Sequence, residues 1–201
     1  MFGECHSIID SETGSPMVNF AACSNYVKSA EVLLPAARGI FVPGLPHPRS
    51  KICDLRFDSN RFTRYFDAIQ IMTERVKDRD EVPDTTDLQN LIRRFALIPE
   101  CQRDAKLVDS EWHIIPGLPN FTVCEDCFEN FVCPLIEVGN EIPFSLNKNL
   151  YRYHAASCQL YPSSNMRDVF KSAVDTNDFG LLVRKVRERE EKIELVRRQS
   201  V

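Results

Sequence analysis

One stretch of sequence decides how this chain is organised: Trp112-His113-Ile114-Ile115-Pro116-Gly117-Leu118-Pro119-Asn120-Phe121-Thr122-Val123-Cys124-Glu125-Asp126-Cys127-Phe128. It holds the only tryptophan and the only Cys-x-x-Cys motif of the protein. Its two prolines exclude regular structure from 115 to 120, whereas Phe121-Thr122-Val123 is typical of a short strand. A helix is expected to begin near Cys127. A Cys-x-x-Cys turn brings two thiolates to one tetrahedral ion, so the stretch predicts half of a structural zinc site.

The other half of this zinc site has to come from residues that flank the pair. The candidates are Cys101, His113, His154 and Cys158. Cys158 follows a loop long enough to fold back onto the pair, and His154 precedes it at a spacing found among zinc ligands. The preferred set is Cys124, Cys127, Cys158 and His113, with Cys101 or His154 as the alternative fourth ligand. The expected cofactor is a structural Zn²⁺ ion.

Redox chemistry is the competing interpretation, because a strand followed by Cys-x-x-Cys at a helix start also builds thioredoxin-like sites. The intervening Glu125 and Asp126 count against it, since nearby negative charge raises the pKa of a thiol. Both carboxylates are expected to lie in solvent. No βαβ pattern precedes the motif. A cysteine nucleophile with a histidine base stays open as an enzymatic alternative, and no residue is assigned a catalytic role.

Composition and charge limit the class of protein. The net charge of −4 disfavours a protein that coats nucleic acid with a broad basic surface. Residues 184–198 are the candidate for a local basic surface that binds nucleic acid. No apolar run approaches the roughly 18 residues that span a bilayer. The amino terminus lacks the basic start and apolar stretch of a secretory signal. We therefore expect no membrane partner, a nuclear or cytoplasmic location, and reduced cysteines.

The predicted organisation has three parts. Residues 1–56 are punctuated by proline and glycine and are expected to form an irregular arm. Residues 57–189 are expected to form a helical zinc-binding domain, with amphipathic helices beginning near Ser59, near Thr86 and after Ser163 or Ser164. Residues 190–201 form the charged end of the last helix. The predicted fold is mainly α with a short β element: a small helical assembly around a zinc-knuckle-like Cys-x-x-Cys site.

Several blocks of the chain resemble a group of uncharacterised fungal proteins. These blocks are Ile98-Pro99-Glu100-Cys101, Trp112 to Pro119, Phe121 to Cys127, and Ser157-Cys158-Gln159-Leu160-Tyr161 followed by Met166-Arg167. The similarity covers roughly residues 86 to 189. It implies a fungal source and a module in which Cys101, His113, Cys124, Cys127 and Cys158 belong together. It implies no activity.

No complete catalytic signature occurs in the chain. A Gly-rich phosphate loop, a His-Glu-x-x-His motif and a Gly-x-Ser-x-Gly motif are all missing from the sequence. We therefore expect a non-catalytic interaction or scaffold protein that binds protein partners through the amino-terminal arm or the carboxyl-terminal helix. The alternatives are a cysteine- or zinc-dependent enzyme, either a thiol oxidoreductase or a hydrolase, and a nucleic-acid-binding module.

Overall fold

The fold is mixed α/β. The computed structural model describes residues 5–44, 53–77, 79, 81–146 and 150–199. It is 47% helical and 18% strand, with two three-stranded antiparallel sheets. The expectation of a mainly α fold is therefore wrong, because most strand pairs join segments that are distant in sequence and leave no local pattern. The chain divides into two compact units, residues 1–98 (unit 1) and residues 99–201 (unit 2). The predicted boundaries after residues 56 and 189 lie inside unit 1 and unit 2, respectively.

Unit 1 combines a small sheet with three helices. Its elements are β1 (Cys5–Ile8), β2 (Ala22–Cys23), α1 (Ser24–Leu33), a 3₁₀ turn (Pro35–Ala37), β3 (Phe41–Pro43), α2 (Phe62–Glu74) and α3 (Thr86–Ala96). The strand order is β2-β1-β3. The irregular arm expected over residues 1–56 is thus wrong for residues 5–44. Pro35, Gly39 and Gly44 follow α1, the 3₁₀ turn and β3 closely, so they limit the length of these elements without preventing them.

The core of unit 1 is built on three aromatic rings. Tyr65 makes edge-to-face contacts with Phe20, at 5.4 Å between ring centroids, and with Phe95, at 5.7 Å. Phe20 comes from the predicted arm, Tyr65 from α2 and Phe95 from α3, and all three are buried. The helices predicted near Ser59 and Thr86 are confirmed as α2 and α3, and their apolar faces cover the amino-terminal segment.

Unit 2 contains the organising stretch. Its elements are β4 (Leu107–Ile115), β5 (Leu118–Val123), α4 (Glu125–Cys127), a π-helical turn (Phe128–Val132), α5 (Cys133–Glu137), α6 (Glu141–Phe144), β6 (Tyr151–Ala156), α7 (Asn165–Asp175) and α8 (Phe179–Gln199). The strand order is β5-β4-β6. Pro116 and Gly117 make the hairpin turn between β4 and β5, where Gly117 has a φ of +87° that favours glycine.

A single hydrophobic core holds these elements together. Trp112, Phe121 and Phe170 are almost fully buried in it, and the rings of Phe121 and Phe170 stack with 5.8 Å between centroids. Ser164 caps α7 by accepting a hydrogen bond from the Met166 amide at 3.2 Å, so the helix predicted after Ser163 or Ser164 is confirmed. The charged end of α8 is mostly exposed. Within the described ranges, none of the helices is long and apolar enough to cross a membrane.

Candidate metal centre

Four cysteine sulfurs gather at one place in unit 2. The Sγ atoms of Cys101, Cys124, Cys127 and Cys158 all lie within 4.8 Å of one another. All four are free thiols, with Cys127 and Cys158 buried and the other two half-buried. A tetrahedral Zn²⁺ ion with bonds of about 2.3 Å needs sulfurs about 3.8 Å apart. A contraction of about 1 Å at most would therefore place all four thiolates around one ion, and the cluster could bind a metal.

The β4–β5 hairpin delivers the Cys-x-x-Cys pair. β5 ends at Val123, and Cys124 then has extended backbone angles before the chain turns into α4. The Cys124 sulfur accepts a hydrogen bond from the Cys127 amide at 3.5 Å, and the Cys124 carbonyl accepts one from the Phe128 amide at 2.9 Å. The motif thus forms a first helical turn in which both sulfurs point to one side. This confirms the strand over Phe121-Thr122-Val123 and the helix start near Cys127. The expected exclusion of regular structure from 115 to 120 is wrong, because β4 ends at Ile115 and β5 already begins at Leu118.

Cys101 reaches the same place from a separate turn. Its sulfur accepts a hydrogen bond from the Arg103 amide at 3.3 Å, and Arg103 has a left-handed φ of 58°. The Cys101 amide donates a hydrogen bond to Oδ2 of Asp126 at 3.1 Å. Asp126 is fully buried, and its Oδ1 accepts a hydrogen bond from Asn130 Nδ2 at 3.1 Å. The expectation that Asp126 lies in solvent is therefore wrong: its carboxylate ties the Cys101 turn to α4.

Cys158 is held beside the pair by hydrogen bonds to β5. The amide of Gln159 donates to the Thr122 carbonyl at 2.8 Å. The Thr122 hydroxyl in turn donates to the Ser157 carbonyl at 2.8 Å. These two bonds flank Cys158 on both sides and clamp its segment against the strand that leads to Cys124. The loop that the sequence predicts to fold back onto the pair does so here, with β6 as its last element.

Hydrogen bonds among the four thiols lower the pKa of two of them and raise the pKa of the other two. Hydrogen bonds from the Cys101, Cys124 and Cys127 thiols hold the pKa of Cys158 well below its usual value. The pKa of Cys101 is lowered in the same way, first by Cys124. A hydrogen bond with the Cys101 thiol raises the pKa of Cys124. A second hydrogen bond with Cys101 raises the pKa of Cys127. Because metal ligands have to be deprotonated, metal binding would release protons from this cluster.

Arg167 supplies positive charge next to the cluster. Its guanidinium lies 4.0 Å from the centroid of the Phe131 ring and donates to the Leu160 carbonyl at 3.0 Å. Burial lowers the pKa of Arg167, and the sulfurs of Cys127 and Cys158 oppose that shift by favouring the cation. Four thiolates around a divalent ion carry net negative charge, which a fixed guanidinium stabilises. No local pattern in the sequence marks Arg167 as part of the site, although this residue lies in one of the blocks that resemble the fungal group.

The structure brings together three of the four preferred ligands, Cys124, Cys127 and Cys158, with Cys101 in the fourth place. His113, the preferred fourth ligand, is not a member of this group. Its Nε2 lies 2.9 Å from Oε2 of Glu125, and its ring stacks on Phe128 with 3.8 Å between centroids. His154, the other alternative, is exposed on β6, with Nδ1 3.3 Å from Asp109.

Comparisons with known proteins add nothing to this description. No protein-family model matches the chain, and neither does any curated protein or solved structure. The assignment of the centre therefore depends on its geometry and donor chemistry.

Proposed function

We propose that the four cysteines bind one structural Zn²⁺ ion, and that the protein is a non-catalytic interaction or scaffold protein. The observation that carries this proposal is the donor set itself: four cysteine sulfurs within 4.8 Å of one another. Four thiolates fill a tetrahedral coordination shell and leave no position for water or substrate. Closed sites of this kind stabilise folds, whereas catalytic zinc sites keep one position open.

The arrangement around the cluster also supports a structural role. The ligands come from three segments: the turn at Cys101, the helix start at Cys124 and Cys127, and the segment after β6 at Cys158. One ion would cross-link all three, and its binding energy would be folding energy. Sulfur-only tetrahedral sets suit zinc or iron, so the identity of the metal needs a direct measurement.

Metal analysis of the full chain, purified without chelator or affinity metal, tests the metal assignment. We expect about one zinc and no iron per chain. We also expect that a chelator makes four further thiols reactive, while the reactivity of Cys133 does not change. Protein without zinc, or with a disulfide between Cys124 and Cys127, would remove this proposal and favour thiol redox chemistry.

Substitution of cobalt for zinc tests whether the site is closed. The visible d–d absorption of Co²⁺ depends on its ligands. If the site has an open position, imidazole or azide binds there and changes the spectrum. We expect a tetrahedral thiolate spectrum that neither reagent changes. A spectrum that shifts with azide would instead support a zinc-dependent enzyme.

Exposed apolar side chains support the interaction role. Val32 and Leu33 at the end of α1 are 74% and 67% exposed, and Leu195 and Val196 near the end of α8 are 57% and 63% exposed. Such side chains are candidates for contacts with protein partners in the nucleus or cytoplasm. We propose, from the sequence blocks that carry the resemblance, that the fungal group shares the same cysteine module.

A further inference from the structure

Two cysteines of unit 1 lie side by side. Cys23 is the last residue of β2, immediately before α1, and Cys53 belongs to the segment that precedes α2. The Cys23 amide donates a hydrogen bond to the Cys53 sulfur at 3.2 Å. The two thiols also hydrogen-bond to each other. Two residues that are 30 positions apart in the chain thus form a pair of neighbouring thiols.

Hydrogen bonds to the backbone hold the Cys53 segment in this position. The Asp54 amide donates to the Ala21 carbonyl at 2.8 Å, and the Ala21 amide donates to Oδ2 of Asp54 at 2.7 Å. The Leu55 amide donates to the Cys53 sulfur, and the Leu55 side chain is buried in the core of unit 1. The segment is therefore tied to the residues before α1 while both cysteines are free thiols.

Cys5 is the third cysteine near this pair, and its position suits a bond to Cys23 less well. It lies directly opposite Cys23 in the register of β1 and β2. The Cβ atoms of directly opposite residues are about 4.5 to 5.5 Å apart, whereas those of a disulfide are about 3.5 to 4.5 Å apart. Among the residues that the structure describes, these three cysteines do not form a group that could hold a metal ion. The contacts thus favour a two-thiol site made of Cys23 and Cys53.

We propose that Cys23 and Cys53 are an oxidation site, at which a hydroperoxide such as hydrogen peroxide converts the two thiols into a reversible disulfide. In a reducing compartment, disulfides are usually transient and serve in catalysis or redox sensing. Both cysteines are only half-buried, in contrast to Cys127 and Cys158 of the metal centre. The site belongs to unit 1 and does not depend on the metal proposed for unit 2.

The reaction has two steps, and the protonation of Cys53 decides where it begins. Burial raises the pKa of Cys53 to about 11, so this thiol stays protonated near neutral pH and the peroxide reacts first at Cys23. The Cys23 sulfur attacks one peroxide oxygen, the O–O bond breaks, and the other oxygen leaves with the Cys23 proton as water. The Cys53 sulfur then attacks the resulting sulfenic acid, the S–O bond breaks, and the hydroxyl group leaves with the Cys53 proton as a second water. The two thiols lose two electrons in total, and one hydrogen peroxide is reduced to two waters.

Titration of the full, zinc-loaded chain with hydrogen peroxide tests the proposal. The remaining thiols are alkylated, and peptide mass spectrometry without reduction locates the disulfide. A chromophoric zinc indicator follows any release of metal. We expect a loss of two thiols per chain, one disulfide between Cys23 and Cys53, no release of zinc, and full recovery of both thiols after treatment with dithiothreitol.

Variants then separate this pair from the other cysteines. Cys53→Ser should abolish the disulfide and leave a sulfenic acid on Cys23 that dimedone traps, whereas Cys23→Ser should give neither product. Cys5→Ser and Cys133→Ser are the matched controls and should form the disulfide as the parent does. The proposal is overturned if Cys23 pairs with Cys5 instead, or if the cysteines of the metal centre are oxidised before Cys23. It is also overturned if no disulfide has formed at the peroxide concentration that oxidises Cys133.

Discussion

Replacing Cys101 with serine separates the two candidates for the fourth metal ligand. The Cys101 sulfur lies within 4.8 Å of the other three sulfurs, whereas His113 is engaged with Glu125 and Phe128. Cys101→Ser should therefore weaken metal binding. His113→Phe should not, because phenylalanine can keep the stack on Phe128 and His113 is not a member of the sulfur cluster.

The expected loss follows from the ligand count. Removing a residue that merely orients a metal ligand costs about 10- to 100-fold in affinity, so removing one of four ligands should cost about 100-fold or more. With free zinc buffered at about 1,000 times the dissociation constant of the parent protein, metal binding stabilises the fold by about 4.1 kcal/mol. The same free zinc concentration is about ten times the dissociation constant of a variant that binds zinc 100-fold more weakly. Metal binding would then stabilise the fold of this variant by about 1.4 kcal/mol. The free energy of unfolding should thus fall by about 2.7 kcal/mol.

Trp112 makes this loss measurable. It is the only tryptophan of the chain and is 1% exposed in the core of unit 2, so its fluorescence during urea unfolding reports the unit that holds the cluster. Zinc affinity is measured in parallel by competition with a chromophoric chelator. Cys133→Ser is the matched control, since Cys133 lies outside the cluster. The assignment of Cys101 is refuted if Cys101→Ser binds zinc as tightly as the parent while His113→Phe loses the metal.

Three further predictions concern other parts of the molecule. Arg167→Gln should weaken zinc affinity by about 10- to 100-fold and Arg167→Lys by less, because the lysine keeps the charge beside Cys127 and Cys158; chelator competition measures both. The amide of Glu12 and the guanidinium of Arg93 hold the pKa of Asp10 below its usual value. The ionised carboxylate therefore stabilises unit 1 at pH values above the unfolded pKa of about 3.9. This stabilisation is lost as the pH falls through the pKa of Asp10 in the folded protein. Asp10→Asn should flatten the acid limb of a stability–pH curve, whereas Asp67→Asn, at an exposed position of α2, serves as the comparison. Phe170→Ala removes a fully buried ring from between Phe121 and Phe131 and should cost about 3 to 5 kcal/mol in urea unfolding, with Phe170→Leu costing less.

The sequence predicts the helices of this fold far better than its strands. α2, α3, α7 and α8 each carry an apolar stripe at helical spacing, which a local pattern reveals. None of the first five residues of β4 is buried, although the first two are apolar, and β6 is exposed over most of its length, so neither strand shows a clean alternation. Their pairing joins Leu107 to Ala156 and Trp112 to Tyr151, and contacts of such long range leave no mark on either segment alone.

The metal ligands, like the strands, could be predicted from the sequence only where they are close together in the chain. Cys124 and Cys127 are recognisable because a local turn brings them together. The choice between Cys101 and His113 depends on tertiary contacts. His113 pairs with Val123 across the hairpin, and its ring stacks on Phe128 while Nε2 meets Glu125. The nearer residue in sequence is thereby occupied elsewhere, whereas Cys101, which lies farther from the pair, is brought in by the buried carboxylate of Asp126.

The contact between Cys101 and Asp126 bears on how the centre forms. A carboxylate buried as fully as Asp126 is stable only when it is hydrogen-bonded, and the Cys101 amide and the Asn130 side chain both donate to it. The bond from the Gln159 amide to Thr122 places Cys158 in the same way. These hydrogen bonds join the three segments at the cluster through backbone and carboxylate groups that are not metal ligands. The same positioning crowds four sulfurs that repel one another once deprotonated, so a divalent ion both relieves the repulsion and fixes the segments. On this basis, chelation should loosen the turn at Cys101 and the segment at Cys158 before it disturbs the β4–β5 hairpin, an order that hydrogen exchange can follow.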